Sequence, residues 1–155
     1  REEGILGGTS WGLHLGEDIL AEPGTPVSAI GDGQAVYVAL HPGSRRRGNW
    51  GNIVILGHAR AGDEQPFYSV YGHLGECGVT AGQSVRLSDV LGSVGEGRTP
   101  ENGYWPEPHL HFAIYRGPWE GRVLPGYFRA EDGRTKLEYW VPPGQFVREY
   151  GAHSG

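Results

Sequence analysis

The sequence predicts an all-β fold: a single domain built mostly from an antiparallel sheet of short strands. Three observations lead to this prediction. The apolar runs are short, rich in β-branched and aromatic residues, and bounded by Gly, Pro, Asn or Asp. No stretch of ten residues shows helical periodicity free of Gly and Pro, and the nearest candidate, residues 134–141, is too short to assign. The length of 155 residues is close to the usual size of one domain.

The composition is compatible with a folded chain despite its 28 Gly and 11 Pro residues. Hydrophobic residues make up 37% of the chain and only 20% are charged, which supplies enough apolar surface to offset the entropy lost on ordering. We therefore expect one domain over residues 1–155. Its core should span about residues 12–115, followed by an irregular strap at 116–150 and a frayed tail at 151–155.

The strand candidates follow one another from residue 27 to residue 115. They lie at residues 27–30, 35–40, 52–56, 67–71, 84–87, 90–94 and 110–115. A Gly-Asp-Gly turn at residues 31–33 predicts a hairpin between the first two. The interruptions at residues 41–51 and 95–108 are longer than ordinary hairpin loops, and such loops are typical of functional segments. We expect these two long loops to wall a groove.

Charge and cysteine content exclude several classes of protein. The net charge of -5 argues against nucleic-acid binding, which usually needs a basic surface. The one basic cluster, three arginines at residues 45–47, is expected at a solvated loop tip, with contact to an anionic polymer as the alternative. The longest apolar run, residues 35–40, is too short to span a membrane. Cys77 is the single cysteine, so no internal disulfide forms. We expect a monomer.

Histidines and one aspartate supply the candidate chemistry. His109 and His111 are two residues apart, so on a strand both imidazoles project from one face while Leu110 points to the core. His14 and Asp18 would be about 13 Å apart in a straight strand, which is too far to share an ion whose ligands lie at about 2 Å. We therefore predict a bend at the intervening glycine, Gly16.

A further histidine, His73, stands at the end of a strand candidate, so four histidines and one aspartate come from three separate segments. These three segments belong to a longer series of short motifs that follow one another along the chain. The set comprises HLGED at residues 14–18, PGTPV at 23–27, GDG at 31–33, GNIVI at 51–55, GH at 57–58, YGHL at 71–74, GQ at 82–83, GSVG at 92–95 and PHLHF at 108–112. Together they resemble the lysostaphin-type and LytM-type zinc metallopeptidases, which cut the peptide part of bacterial peptidoglycan.

The resemblance implies a role for each candidate residue. His14, Asp18 and His111 would bind one Zn²⁺ ion, and His73 and His109 would flank it as catalytic histidines. Three protein ligands leave a fourth position for water, as catalytic zinc sites require. Either flanking histidine could act as the general base, with the other stabilising the oxyanion.

The activity implied by the resemblance is zinc-dependent endopeptidase action on peptidoglycan stem peptides or cross-bridges, through a metal-activated water. The alternative is a catalytically inactive relative that binds the cell wall or activates another wall hydrolase. Either reading implies the bacterial cell envelope, periplasmic or secreted, and the chain begins at Arg1 rather than Met, as expected if a leader has been removed.

Aromatic residues in the two long loops are candidates for substrate binding. Trp50, Tyr104 and Trp105 could wall the groove for an extended peptide, with loop packing as the alternative. The loop at residues 95–108 departs most from the family and should decide which peptide fits. His58 matches a position that is often histidine in the family, and we expect it to be structural.

Overall fold

Antiparallel pairing joins the strands in the computed structural model, which describes residues 3–6, 9–59, 66–128 and 135–153. The strands are β1 (Glu3–Leu6), β2 (Thr9–His14), β3 (Glu17–Leu20), β4 (Pro26–Ser28), β5 (Gly33–His41), β6 (Gly51–His58), β7 (Phe67–Cys77), β8 (Ser84–Val85), β9 (Val90–Val94), β10 (His109–Tyr115), β11 (Tyr127–Phe128) and β12 (Trp140–Val141). The described residues also include a 3-10 turn, Leu137–Tyr139, and one helix, α1 (Pro143–His153), within the region predicted as strap and tail. The prediction of an all-β, single-domain, antiparallel fold is confirmed.

The strands form one large sheet and one small one. The central path of the nine-stranded sheet runs β12-β10-β7-β6-β5-β8, and β3 extends it beside β10. Strands β4 and β9 pair with each other, and β9 also pairs with β7. The three-stranded sheet has the order β1-β2-β11. Because β2 and β3 are consecutive but belong to different sheets, the chain between them passes from one sheet to the other.

Alternation of side chains along the central strands divides the core into two clusters, one on each face of the large sheet. One cluster contains Val54, Leu56, Phe112 and Ile114. The other contains Ile53, Ile55, Ala113 and Tyr115. His109 and His111 alternate with Leu110 and Phe112, so both histidines lie on the face of the second cluster.

The hairpin predicted between residues 27–30 and 35–40 is wrong. Strand β4 pairs with β9, whereas β5 pairs with β6 and β8. The chain between β4 and β5 is held by a different segment, since Ala29 exchanges backbone hydrogen bonds with Ser88 and Asp89. The Gly-Asp-Gly sequence at residues 31–33 indicates only a local change of chain direction, whereas the partners of both strands come from distant parts of the sequence.

The C-terminal region is more regular than the predicted strap and frayed tail. Helix α1 includes residues 151–153, which the sequence assigned to the tail. Pro143 is the first helical residue, where its missing N–H leaves no helical bond unmade. Phe146 packs against the first cluster with its ring 4.7 Å from that of Phe67. This tertiary packing stabilises a helix that contains two glycines.

No helix in the described part of the chain is long and apolar enough to cross a membrane.

Candidate active site

The predicted bend at Gly16 is confirmed, and it separates β2 from β3. A Cβ atom at Gly16 would lie 2.5 Å from the carbonyl oxygen of Phe112 and 2.9 Å from Nε2 of His111. Only glycine therefore lets the bend pack so closely against β10. The bend brings Nε2 of His14 within 3.1 Å of Oδ1 of Asp18.

Strand pairing places His111 beside both of these residues. Asp18 on β3 is the register partner of His111 on β10. Nδ1 of His111 lies 3.0 Å from Nε2 of His14 and 3.6 Å from Oδ1 of Asp18. A tetrahedral ion with ligands at about 2.0 to 2.1 Å requires ligand atoms about 3.3 Å apart. The three observed separations therefore suit one tetrahedral metal ion, and two imidazoles with one carboxylate are a donor set that Zn²⁺ accepts.

His109 faces the same three-residue group from the neighbouring position on β10. Its Nε2 atom lies 3.7 Å from Oδ1 of Asp18. Its Nδ1 atom lies 2.8 Å from the carbonyl oxygen of Glu107, which can only accept a hydrogen bond. In the neutral ring the proton is therefore on Nδ1, and the lone pair on Nε2 points toward the group.

His73 reaches the site because β7 contains a β-bulge. Two residues of β7, Gly72 and His73, face one residue of β6, and His73 adopts a left-handed backbone with φ of 66°. Tyr71 and Leu74 consequently both enter the first core cluster, although they are three positions apart and would face opposite sides of a regular strand. The ring of His73 then lies 4.6 Å from that of His109.

Burial and neighbouring charges shift the pKa values of the site. Burial lowers the pKa of His73 to about 3, and the charge of His109 acts in the same direction. Burial also lowers the pKa of His111 well below its ordinary value. Burial raises the pKa of Asp18, but its hydrogen bond with His14 and the surrounding histidine charges outweigh this and bring it to about 2. At neutral pH Asp18 is therefore a carboxylate and the imidazoles of His73 and His111 are neutral, and metal binding requires deprotonated ligands of this kind.

The two long loops predicted from the sequence are joined to each other. Asn49 donates from its backbone N–H to the carbonyl of Gly103, and Nε1 of Trp105 donates to the carbonyl of Asn49. Asn52 donates in the same way to Glu101. The loops therefore form one unit beside the site.

The aromatic residues predicted to bind substrate lie in this loop unit at different depths. Trp50 is partly buried, stands edge-on to His111 at 4.6 Å, and donates from Nε1 to the carbonyl of Leu124. Trp105 stands edge-on to His73 at 5.6 Å. Tyr104 accepts a hydrogen bond from Arg45 at the outer edge.

The structure adds one side chain near the site that the sequence did not indicate. Tyr127 on β11 is the register partner of His14, and their ring centroids are 5.2 Å apart. Tyr127 lies in the C-terminal strap, beyond the ordered motifs, so no spacing in the sequence connects it with His14. The return of the strap to β2 is visible only in the fold.

Comparison with known proteins identifies the family. The model of peptidase family M23 matches residues 12–123, which include all five site residues. This chain belongs to peptidase family M23. The M23 family is zinc-dependent and hydrolyses peptidoglycan, so the resemblance seen in the motifs is confirmed.

Known peptidases are similar to this chain in sequence and in fold. The DD-carboxypeptidase/endopeptidase Mpg of Neisseria meningitidis serogroup B is 34% identical over 103 residues, which are 66% of this chain and 20% of that protein. The catalytic domain of the antimicrobial peptidase lysostaphin from Staphylococcus simulans has a TM-score of 0.57 at 23% identity, covering 92% of this chain and 83% of that one. A zinc-containing peptidase from Vibrio cholerae has a TM-score of 0.52 at 29% identity, covering 65% and 26%. This chain thus spans about a fifth of the length of Mpg.

Proposed function

We propose that this M23 domain is a zinc-dependent endopeptidase that hydrolyses peptide bonds in peptidoglycan stem peptides or cross-bridges. The observation that carries the proposal is the set of three ligand atoms, from His14, Asp18 and His111, spaced 3.0 to 3.6 Å apart. Two more histidines face this set. The peptidase activity named for Mpg supports the reaction class, and membership of the M23 family supports peptidoglycan as the substrate.

Zinc held by these three residues would lower the pKa of a water molecule and polarise the scissile carbonyl. The chain itself orients the ligands. The bend at Gly16 aims His14 and Asp18 at one point, and pairing of β3 with β10 fixes His111 opposite Asp18. Because the pKa values of Asp18 and His111 are lowered, Asp18 is a carboxylate and His111 a neutral imidazole at neutral pH, and both can act as ligands.

The roles of the two remaining histidines follow from the hydrogen bond of His109 and from the lowered pKa of His73. His109 has its Nδ1 proton held by the carbonyl of Glu107, so its Nε2 is the base that takes the proton of the attacking water and passes it to the leaving amine. His73 stays neutral because burial lowers its pKa to about 3. We propose that the protonated nitrogen of this neutral ring donates a hydrogen bond to the oxyanion.

The loop unit is proposed to bind the peptide. Trp105 is the strongest candidate, since it contacts His73 and lies 6.3 Å from His109 between ring centroids. Tyr104 would contact the peptide further out, and Trp50 would form the floor beside His111. Because the substrate lies in the cell wall, we propose the bacterial cell envelope, periplasmic or secreted, as the place of action.

The test is to measure zinc content of the purified chain and to digest purified peptidoglycan, with fragments weighed by mass spectrometry. We expect about one zinc per chain and new amino termini in the stem peptides or bridges, both lost after chelation and regained with zinc. Zinc binding without any cleavage would favour the inactive wall-binding alternative. Cleavage that persists in the metal-free chain would contradict the proposal.

A further inference from the structure

We propose that Arg45 binds a free carboxylate of the peptide substrate and so selects acidic stem peptides over uncharged bridges. This inference rests on the proposed peptidase function and adds a specificity to the same site. Arg45 belongs to the three consecutive arginines at residues 45–47, a cluster that the zinc chemistry does not use.

The tip of the first loop fixes the backbone of this cluster. Ser44 and Arg47 exchange two backbone hydrogen bonds of 2.9 and 3.1 Å, closing a tight turn with Arg45 and Arg46 at its centre. The hydroxyl of Ser44 also accepts a hydrogen bond from the backbone N–H of Arg46. Both central arginines are exposed. The turn therefore presents two guanidinium groups on a defined backbone.

Arg45 differs from Arg46 in that its side chain is held by the second loop. Its Nε atom donates to the hydroxyl of Tyr104 at 3.2 Å. Tyr104 has a left-handed backbone with φ of 65°, which a non-glycine residue keeps only where its surroundings fix it. It immediately precedes Trp105, which contacts His73. The guanidinium of Arg45 is thereby held against the loop that carries Trp105.

The free part of the Arg45 guanidinium is suited to a carboxylate. With Nε bonded to Tyr104, the two terminal amino groups remain as a pair of parallel donors, the geometry that a carboxylate accepts. Among the described residues no carboxylate forms an ion pair with Arg45 or Arg46. The chain as a whole carries a charge of -5, which disfavours attraction of a long polyanion. A single carboxylate of a peptide bound along the loop unit is the ligand that best fits these constraints.

The test compares cross-linked stem peptides whose carboxylates are free with the same peptides converted to carboxamides. We expect the zinc-loaded wild-type chain to cut the free acids about fivefold more efficiently in kcat/KM, mainly through KM, as one charge-assisted pair near the surface provides. Arg45→Gln should remove this preference for the free acids, and Tyr104→Phe should reduce it. Arg46→Gln is the matched control and should keep the wild-type preference. Raising the salt concentration should also reduce the ratio.

The outcomes separate this inference from the proposed function. Equal cleavage of acids and amides by wild type, or a ratio unchanged in Arg45→Gln, overturns the carboxylate site and leaves the peptidase intact. A wild-type chain that cuts neither peptide overturns the peptidase function, and the inference falls with it. If Arg45→Gln instead weakens only the binding of a phosphate-rich wall polymer, the arginine serves that polymer and the inference is wrong. Unchanged thermal unfolding of Arg45→Gln checks that the exposed substitution leaves the fold intact.

Discussion

Two buried histidine environments in this chain differ in how completely their ring nitrogens are bonded. His58 is 1% exposed, and its Nδ1 and Nε2 atoms each lie 2.7 Å from an oxygen, of Asp32 and Ser69 respectively. His73 and His111 are also buried, but each keeps one buried ring nitrogen without a hydrogen-bond partner among the described residues. All three rings lie inside the fold, yet only that of His58 is fully bonded.

This difference distinguishes structural histidines from those available for chemistry. Leaving a buried polar atom unpaired destabilises a fold, so native proteins rarely do so without a functional reason. His58 ties the turn after β4 to strands β6 and β7. In His111 the ring turns Nδ1 toward His14 and Asp18 and leaves Nε2 unpaired beside Gly16, so its orientation serves the ligand group rather than a full set of hydrogen bonds.

The largest expected effect separates the metal ligands of the site from its general base. Asp18→Asn removes a charged ligand, so we expect zinc affinity and turnover to fall together. His109→Gln should keep most of the zinc while kcat falls by about 10² to 10⁴, the usual contribution of a general base. Metal analysis of both variants beside peptidoglycan digestion checks this division. Equal zinc loss in both would show that His109 is a ligand as well.

Substitution of His58 should have the opposite effect, lowering the stability of the fold while leaving zinc binding unchanged. His58→Ala removes the hydrogen bonds that join His58 to Ser69 and Asp32 and opens a cavity, so we expect the free energy of unfolding to fall by about 3 kcal/mol. Zinc stoichiometry should remain as in wild type. Urea unfolding of the zinc-free chain measures the loss, with His109→Ala as the control that should lose much less. A larger loss of unfolding free energy in His109→Ala would contradict the assignment of His58 as the structural histidine.

Acid should weaken the zinc-free fold through His73. In the unfolded chain an imidazole takes up a proton near pH 6.5, whereas in the folded chain burial of His73 delays this until about pH 3. The unfolded state therefore binds more protons within this window, and the free energy of unfolding falls as the pH falls through it. His73→Gln should flatten this slope and match wild type in slope above pH 7. Identical slopes below pH 6 would show that His73 is protonated normally in the fold.

The sequence could predict the parts of the site that depend on local arithmetic. The bend at Gly16 follows from the distance between His14 and Asp18 in a straight strand, and the shared face of His109 and His111 follows from strand periodicity. Pairings between distant segments were out of reach, as with β4 and β9. The bulge at His73 was also invisible, because a bulge depends on the register of β7 against β6.

The smallest expected effect concerns that bulge. At φ of 66° glycine is unstrained, whereas alanine costs about 1 kcal/mol, so His73→Gly should be more stable than His73→Ala by about that amount. The same pair at His109, on the regular part of β10, should show the reverse order, because glycine weakens an ordinary strand by about 0.5 to 1 kcal/mol relative to alanine. Urea unfolding of the four zinc-free variants measures both differences. If alanine were favoured at both positions, the left-handed backbone of His73 would be a consequence of its imidazole rather than of the bulge, and the strand itself would not aim this side chain at the site.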